Sequence, residues 1–245
     1  MNDAPAADVS ARGYAICTTQ RSGSNYLCQL LASTGVLGRP LEFFNAPGRR
    51  AREFPDYPGD PVRQLAMILP HGSTPNGVYG LKIFAYQFDA VAATDWPARL
   101  PRLHWIHFTR MDLLGQAISL LKAKQTGQWR SSDAAVAAAC YDGKQIGREM
   151  RSIASADARW RLFFARNGMT PLRLLYEDLV REPAASVRAV AETLGLRGEV
   201  RIDDTRIDVR QQRDGESELW RERFLAEHAG LSPLDRLDPD GEEPS

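Results

Sequence analysis

Residues 13–24 read Gly-Tyr-Ala-Ile-Cys-Thr-Thr-Gln-Arg-Ser-Gly-Ser, an apolar run followed by a polar turn. The apolar half is short and contains β-branched residues, which is typical of a buried strand. The turn, residues 20–24, ends in Ser24, a residue type favoured at the N-cap of a helix. Apolar residues then recur at helical spacing over residues 26–31. The stretch therefore predicts a strand, a tight turn and a helix in succession.

The same alternation continues along the chain. Apolar runs predict further strands at residues 78–84, 103–109 and 171–176, and helical patterns cover about 112–126, 132–167 and 183–194. Strands separated by helices form parallel βαβ units, and their sheet is covered on both faces. We predict an α/β fold, a P-loop-like three-layer arrangement with a central parallel sheet flanked by helices.

Outside these elements the sequence is less regular. Residues 45–76 are rich in Pro, Gly and Arg, which predicts an irregular excursion with one short helix near residues 62–69. We expect a single domain over residues 13–230. The Ala/Pro-rich residues 1–12 and the Asp/Glu/Pro-rich residues 235–245 are expected to be flexible tails.

Charge and hydropathy narrow the range of partners. Lys plus Arg number 31, as do Asp plus Glu, so the net charge gives no reason to expect nucleic acid as a partner. No apolar run approaches the roughly 18 residues of a membrane span, and residues 1–12 lack the apolar core of a secretory signal. We therefore expect a cytoplasmic protein without a transmembrane segment. The His and Cys residues lack the paired spacing of a zinc site, so no metal is expected.

The 20–24 turn admits two interpretations. Ligands of parallel sheets bind where a strand is followed by a helix. There, Gly23 permits a tight turn whose backbone N–H groups can bind an anion, with hydroxyls from Ser22 and Ser24 and charge from Arg21. The alternative is an ordinary turn capped by Ser24. A nucleoside triphosphate is not expected, because the Gly-x-x-x-x-Gly-Lys-Ser/Thr pattern is absent.

A second anion site is predicted at the end of the third strand. Arg110 follows that strand, and Ser119 lies on the next helix. Two strand ends that each supply an Arg and a hydroxyl can hold a ligand with phosphates at two places. The alternative is that Ser119 bonds back to its own helix.

These positions resemble those of a known family. Arg-Ser-Gly-Ser at residues 21–24 resembles the sulfotransferase loop that holds the 5′-phosphosulfate of 3′-phosphoadenosine 5′-phosphosulfate, although many members have Lys-Ser-Gly-Thr there. Arg110 with Ser119 resembles the family's site for the 3′-phosphate. A narrower resemblance, to the bacterial trehalose 2-sulfotransferase family, is carried by residues 34–45, 75–82 and 116–119, and more weakly by residues 210–213 with Trp220.

The resemblance implies a co-substrate and the residues that bind it. The co-substrate is 3′-phosphoadenosine 5′-phosphosulfate, with no metal. The residues expected to bind it are Gln20, Arg21, Ser22, Gly23, Ser24, Asn25, Arg110, Ser119, Gln212 and Arg213. Phe43, Phe44 and Lys82 are expected to contact the acceptor, with a surface-facing Lys82 as the alternative.

The resemblance also places the general base at Glu42. A sugar hydroxyl is a poor nucleophile, so its reaction needs a base together with positive charge on the leaving phosphate. The apolar neighbours of Glu42 predict burial that raises its pKa toward a useful value. Arg21 is expected to stabilise the leaving phosphate electrostatically, since Arg does not readily donate a proton. His107 is the alternative base.

Together these observations predict a sulfotransferase that moves a sulfuryl group to a hydroxyl of a carbohydrate or glycolipid, trehalose-like sugars included. The alternative is a non-catalytic member of the family that binds the donor or 3′,5′-adenosine bisphosphate. The helix-rich C-terminal half could support a homodimer.

Overall fold

The computed structural model describes residues 11–51, 53–129, 133–208 and 215–230. The strands in this part of the chain are β1 (Arg12–Thr18), β2 (Val78–Phe84), β3 (Leu103–Thr109) and β4 (Leu172–Leu175). The helices are α1 (Ser24–Ser33), α2 (Ala46–Arg50), α3 (Pro61–Ala66), α4 (Ile68–Gly72), α5 (Ala85–Val91), α6 (Leu113–Thr126), α7 (Gly143–Arg166), α8 (Tyr176–Arg181), α9 (Pro183–Thr193) and α10 (Gly215–His228). Short 3-10 turns lie at Ala92–Thr94, Trp96–Arg99 and Asp204–Arg206.

The strands form a parallel sheet in the order β2-β1-β3-β4. Thr18 at the end of β1 is in register with Phe84 of β2 and with Phe108 of β3. The carboxyl ends of these strands therefore lie at one edge of the sheet, where the 20–24 turn begins. The predicted strands and the predicted parallel sheet are confirmed.

The two faces of the sheet bury different residues of β1, because side chains alternate along a strand. Tyr14 and Ile16 pack with buried residues of α1 and α9 on one face. Ala15 and Cys17 pack on the other face in a cluster that includes Trp160 and a set of aromatic side chains around it. Helices thus cover both faces, which confirms the predicted three-layer arrangement.

The segment between α1 and β2 runs back along the sheet and places Glu42 beside β2. Leu41 forms a parallel bridge with Leu81, and the Lys82 N–H donates to the Leu41 carbonyl at 2.9 Å. Where the sequence predicted one short helix near residues 62–69, the structure has two, α3 and α4, which meet at Met67.

The predicted helix over residues 132–167 is too long at its N-terminal end. Helix α7 begins at Gly143, where the Asp142 side chain caps it by accepting from the Gln145 N–H at 2.9 Å. The preceding segment is instead held against α6, because the Gln125 side chain bonds to both the N–H and the carbonyl of Cys140. Among the described helices, α7 included, none is both long and apolar enough to cross a membrane.

Candidate active site

The 20–24 turn lies between β1 and α1 and has the backbone of an anion-binding turn. Arg21 and Gly23 have left-handed φ angles of 58° and 89°. Turns that include this conformation gather successive N–H groups into a concave site. Gly23 occupies the N-cap position of α1, which corrects the prediction for Ser24, the first residue of the helix. Because glycine has no side chain to cap the helix, the first N–H groups of α1 can bind a ligand.

The Ser22 side chain anchors the turn to the sheet. Its Oγ lies 2.8 Å from Thr18 Oγ1, and Thr18 Oγ1 in turn donates to the Phe108 carbonyl at 2.7 Å. Since the one hydroxyl proton of Thr18 is used on Phe108, Ser22 is the donor to Thr18. The Ser22 hydroxyl proton is therefore engaged within the fold, and its backbone N–H is the group left for an anion.

Helix α6 fixes the start of the turn through Gln116. The Gln116 side-chain amide donates to Thr19 Oγ1 at 2.8 Å and to the Gln20 carbonyl at 2.5 Å. The Gln20 side chain lies near Tyr86, which follows β2, and its interaction with the Tyr86 hydroxyl opposes the burial that raises the pKa of that group. Gln20 thus connects the turn to both neighbouring elements at the sheet edge.

The structure brings Arg21, Arg110 and Ser119 together in one cluster. Arg21 Nε donates to Ser119 Oγ at 2.9 Å, and Arg21 Nη1 donates to the Trp129 carbonyl at 2.6 Å. Arg110 Nη1 donates to the Arg21 carbonyl at 3.5 Å. Burial and the charge of Arg110 lower the pKa of Arg21, and Asp133 opposes them in part. Two guanidinium groups this close together favour the binding of an anion.

Asp112 and Tyr176 orient the side chain of Arg110. Arg110 Nη2 donates to Asp112 Oδ2 at 3.1 Å, and the guanidinium carbon lies 4.9 Å from the centre of the Tyr176 ring. Within the described part of the chain, the buried Nε of Arg110 has no hydrogen-bond partner. An unpaired buried N–H is costly, so this atom marks a place for an acceptor atom of a ligand.

Asp112 also ties this cluster to two helices. It caps α6 by accepting from the Gly115 N–H at 3.0 Å, and it accepts from Arg221 of α10 at 2.6 and 2.7 Å. Sequence reasoning missed Asp112, Tyr176 and Arg221. The first two lie just after β3 and β4, and this position at strand ends was a usable signal. Arg221 carried no such signal.

Glu42, Lys82 and Asn25 form a second polar group beside the turn. Lys82 Nζ lies 2.6 Å from Glu42 Oε1 and donates to Asn25 Oδ1 at 2.5 Å. Asn45, which the sequence did not single out, donates to Glu42 Oε2 at 2.8 Å. The Lys82 side chain is only 4% exposed, which excludes the surface-facing alternative, whereas Glu42 is 19% exposed. A carboxylate and an ammonium group therefore meet at the start of α1.

The pKa of Glu42 lies below its ordinary value, which corrects the predicted elevation. Burial raises the pKa of this carboxyl, as expected from its apolar neighbours. The charge of Lys82, hydrogen bonds from Lys82 and Asn45, and the charge of Arg49 together outweigh that effect. Glu42 is therefore ionised at neutral pH and can accept a proton.

The remaining candidates lie in less suitable places. Phe43 is 1% exposed and packs in the core, and this burial does not support its predicted contact with the acceptor. Phe44 is partly buried and packs on Trp96, with ring centres 5.7 Å apart. His107, the alternative base, lies in β3 with its Nε2 2.9 Å from Asp157 Oδ1.

Two predicted donor-binding residues, Gln212 and Arg213, lie outside the described residues. No three His, Cys, Asp or Glu side chains are grouped to hold a metal ion in residues 11–51, 53–129, 133–208 and 215–230.

A cavity of about 610 Å³ adjoins the turn at the sheet edge. Its walls come from the turn, from the start of α5 and from one side of α7. The lining residues include Thr19, Gln20, Phe84, Tyr86, Arg148, Arg151, Ser152, Ser155 and Arg159. The residues of α7 in this wall were not singled out in the sequence, because helical periodicity alone does not show which side of α7 faces the turn.

Known proteins that are similar to this chain include sulfotransferases. Residues 13–227 match the family described as Stf0 sulphotransferase. The chain is similar to trehalose 2-sulfotransferase of Mycobacterium tuberculosis strain Erdman, with 27% identity over 89% of this chain and 96% of the relative. It is also similar to trehalose 2-sulfotransferase of Mycolicibacterium smegmatis, with 29% identity over 91% of this chain and 96% of the relative. Among solved structures, the sulfotransferase domain from the curacin biosynthetic pathway aligns with a TM-score of 0.48 and 14% identity, over 89% of this chain and 97% of that one.

Proposed function

Because this chain belongs to the Stf0 sulphotransferase family, we propose that it transfers a sulfuryl group from 3′-phosphoadenosine 5′-phosphosulfate to a hydroxyl of a carbohydrate or glycolipid. The family and the relatives named trehalose 2-sulfotransferase identify an enzyme. Trehalose-like sugars are the first acceptors to test. The observation that carries the proposal is the Glu42–Lys82–Asn25 group, which places a base and a cation at the start of α1.

The residues present fit a donor that carries anionic groups at two places. The N–H groups of the 20–24 turn and of the first turn of α1 suit the phosphosulfate. The cluster of Arg21, Arg110 and Ser119 suits a separate phosphate, and the unpartnered Nε of Arg110 is a donor for it. Since the Arg21 guanidinium lies in this cluster, we assign Arg21 to donor binding, and Lys82 to the charge stabilisation first expected of Arg21.

Glu42 is the base in the proposed reaction. The donor supplies a sulfuryl group: the acceptor oxygen bonds to sulfur, the bond from sulfur to the bridging phosphate oxygen breaks with its electron pair, and the acceptor proton passes to Glu42. Its lowered pKa keeps the carboxylate ionised before that step. The Asn45 amide, which donates to Oε2, holds the carboxylate in place.

Lys82 lies where it can pair first with the Glu42 carboxylate and then with an anion bound at the start of α1. Its Nζ bonds both Glu42 and Asn25, and Asn25 lies in the first turn of α1. An anion held at that helix start competes with Glu42 for the ammonium group. When Lys82 shifts toward the bound anion, the restraint on Glu42 weakens and the carboxylate becomes a stronger base.

The test is a sulfate-transfer assay with radiolabelled donor and a panel of sugars that includes trehalose. We expect sulfated product with the wild-type protein. Glu42→Gln should lower kcat by about 10²–10⁴-fold while the affinity for 3′,5′-adenosine bisphosphate, measured by calorimetry, stays the same. Glu199→Gln, at an exposed carboxylate paired with Arg201, is the matched control and should keep full turnover.

Arg110→Ala tests the donor site in the same experiment. We expect it to weaken binding of the bisphosphate, because the buried Nε of Arg110 has no hydrogen-bond partner among the described residues and is the proposed donor to a phosphate. Arg201→Ala, at an exposed position, is its control. Full turnover by Glu42→Gln would refute the mechanism, and tight bisphosphate binding without transfer to any sugar would favour the non-catalytic alternative.

A further inference from the structure

The described residues that line the cavity beside the turn are rich in basic side chains. Among them Arg148, Arg151 and Arg159 are basic, and none of these described lining residues is Asp or Glu. All three lie on α7, at spacings that place them along one side of the helix. Its volume of about 610 Å³ is within the usual range of small-molecule sites. This charge distribution is more than a neutral sugar requires.

Two of these arginines differ in the charge of their partners, and of the two only Arg159 is paired with an acid among the described residues. Arg159 pairs with Asp89 of α5. Arg148 donates to the neutral side chain of Gln145 at 3.1 Å. Arg151 is half-buried in the wall between them. The hydroxyls of Ser152 and Ser155 lie in the same wall and add neutral donors.

The opposite wall suits a sugar ring near the proposed base. Phe84 and Tyr86 line this wall with stacked rings, whose centres lie 5.8 Å apart with an interplanar angle of 19°. Lys82 Nζ, which pairs with Glu42, lies 5.4 Å from the centre of the Phe84 ring, so this wall lies beside the proposed base. Gln20, the first residue of the turn, lines the same cavity as Phe84 and Tyr86.

We propose that the acceptor is an anionic carbohydrate, with its hydroxyl on the Tyr86 side of the cavity and a phosphate, sulfate or carboxylate group on the α7 side. This inference rests on the proposed function, since it names the class of acceptor for that reaction. Arg148 and Arg151 bind the anionic group, and Ser152 and Ser155 complete its hydrogen bonds. Arg side chains suit this task because the guanidinium donates two parallel hydrogen bonds to such groups.

The test compares matched neutral and anionic sugars. Binding of glucose, glucose 6-phosphate, glucuronate, trehalose and trehalose 6-phosphate is measured by calorimetry with 3′,5′-adenosine bisphosphate at saturation, so that the donor's own anion sites are filled. We expect the anionic members to bind at least about tenfold more tightly than their neutral partners, as charge-assisted hydrogen bonds predict. Comparison of the two sugar phosphates with glucuronate shows whether the pocket prefers a phosphate or a carboxylate group.

Variants of the cavity test whether its arginines cause the preference for anionic sugars. The double variant Arg148→Gln, Arg151→Gln should lose most of the preference for anionic sugars while its affinity for the bisphosphate stays the same. Arg161→Gln, an exposed residue of α7 outside the lining, is the control and should keep the preference. Equal binding of anionic and neutral sugars, including no detectable binding of either, would overturn the inference, as would an equal loss of bisphosphate affinity in the double variant.

Turnover is measured separately on the same sugars. Anion-dependent binding without sulfated product would support the anionic pocket and refute the proposed function. Transfer to neutral trehalose with no gain from a 6-phosphate would support the proposed function and refute this inference.

Discussion

The ionisation of Glu42 depends on two opposing effects in a small space. Burial alone would favour the neutral carboxylic acid, but Lys82 and Asn45 reverse the balance. In the proposed enzyme, a base held in this way is ionised over the neutral range, and we expect activity to be lost only as the pH falls through its lowered pKa. The position of the acid limb in a pH profile therefore reports on Lys82.

Replacing Lys82 by Met should move that limb to higher pH. The substitution removes the charge that lowers the pKa of Glu42 and leaves the burial that raises it. We also expect kcat at neutral pH to fall by about tenfold or more, since a cation at the reacting groups is lost. The measurement is kcat/KM against pH, and an unchanged acid limb would show that Lys82 does not control the base. Lys144→Met, at an exposed residue of α7, is the control.

Gly23 is required by the turn for two separate reasons. Its φ angle of 89° is unfavourable for other residues, and a Cβ built at this position would overlap the Tyr176 ring. Gly23→Ala should therefore lower the free energy of unfolding by about 1–3 kcal/mol and weaken binding of the bisphosphate. Denaturant unfolding and calorimetry measure these two effects.

Gly35→Ala separates strain from overlap. Gly35 has a similar φ angle of 68°, but no atom lies within 4 Å of its added Cβ. This control should cost about 1–2 kcal/mol from backbone strain alone and leave bisphosphate binding unchanged. Equal effects of the two variants on binding would contradict the role assigned to the turn.

Residue types in the sequence predicted part of this site. Arg21, Gly23, Arg110 and Ser119 follow strands in a recognisable pattern, and the structure brings them to one edge. The contact of Glu42 with Lys82 was not predictable, because it depends on the bridge between Leu41 and Leu81, which joins segments forty residues apart. The pKa of Glu42 was predicted in the wrong direction for the same reason.

Among the elements, α10 contacts the proposed donor site through Asp112. Arg221 of α10 bonds both oxygens of Asp112, and Asp112 holds Arg110 and caps α6. The helix thereby positions Arg110, a proposed donor-binding residue. This makes α10 a positioning element in the proposed enzyme.

Arg221→Gln should weaken bisphosphate binding by about threefold to tenfold, as expected for a partly exposed ion pair coupled to a bound anion. We expect the KM for the donor to rise while kcat changes little, because Arg221 contacts no reacting atom. Arg223→Gln, on the same helix but paired with Glu227, is the matched control. A fall in kcat with an unchanged donor KM would argue against positioning.

The start of α7 shows that a sequence pattern can fail to predict the boundary of an element. The helical pattern over residues 132–167 continued through a segment that the structure holds against α6 by hydrogen bonds from Gln125. Amphipathic periodicity cannot register such a tertiary contact. The cap at Asp142 is a local signal that would have placed the start of α7 correctly.

At the scale of the whole molecule, the parallel sheet brings the residues of the candidate site to one edge. Strand ends of β1, β2 and β3 lie at one edge, and residues far apart in sequence meet there. The order of the strands was not predictable from periodicity, although their parallel direction was. The predicted single domain, homodimer and cytoplasmic location stay predictions.

A ligand that binds at this edge contacts several elements at once, so it should stabilise the whole fold. The turn joins β1 to α1, Arg110 follows β3, and Ser119 lies on α6. At about 100 times its Kd, 3′,5′-adenosine bisphosphate should add about 2.7 kcal/mol to the free energy of unfolding and raise Tm by roughly 5–10 °C. Thermal unfolding followed by circular dichroism measures the shift.

ATP with Mg²⁺ is the informative comparison, because it carries a triphosphate but no 3′-phosphate. The sequence lacks the Lys of a triphosphate-binding loop, and the cluster of Arg21, Arg110 and Ser119 suits a separate phosphate. We expect ATP with Mg²⁺ to raise Tm much less than the bisphosphate, and addition of a chelator to leave the bisphosphate shift unchanged. In Arg110→Ala the difference between the Tm shifts of the two nucleotides should shrink, since the guanidinium group proposed to bind the 3′-phosphate has been removed. A larger shift with ATP and Mg²⁺ would instead indicate a triphosphate site and contradict the assignment of the Arg110 cluster to a separate phosphate.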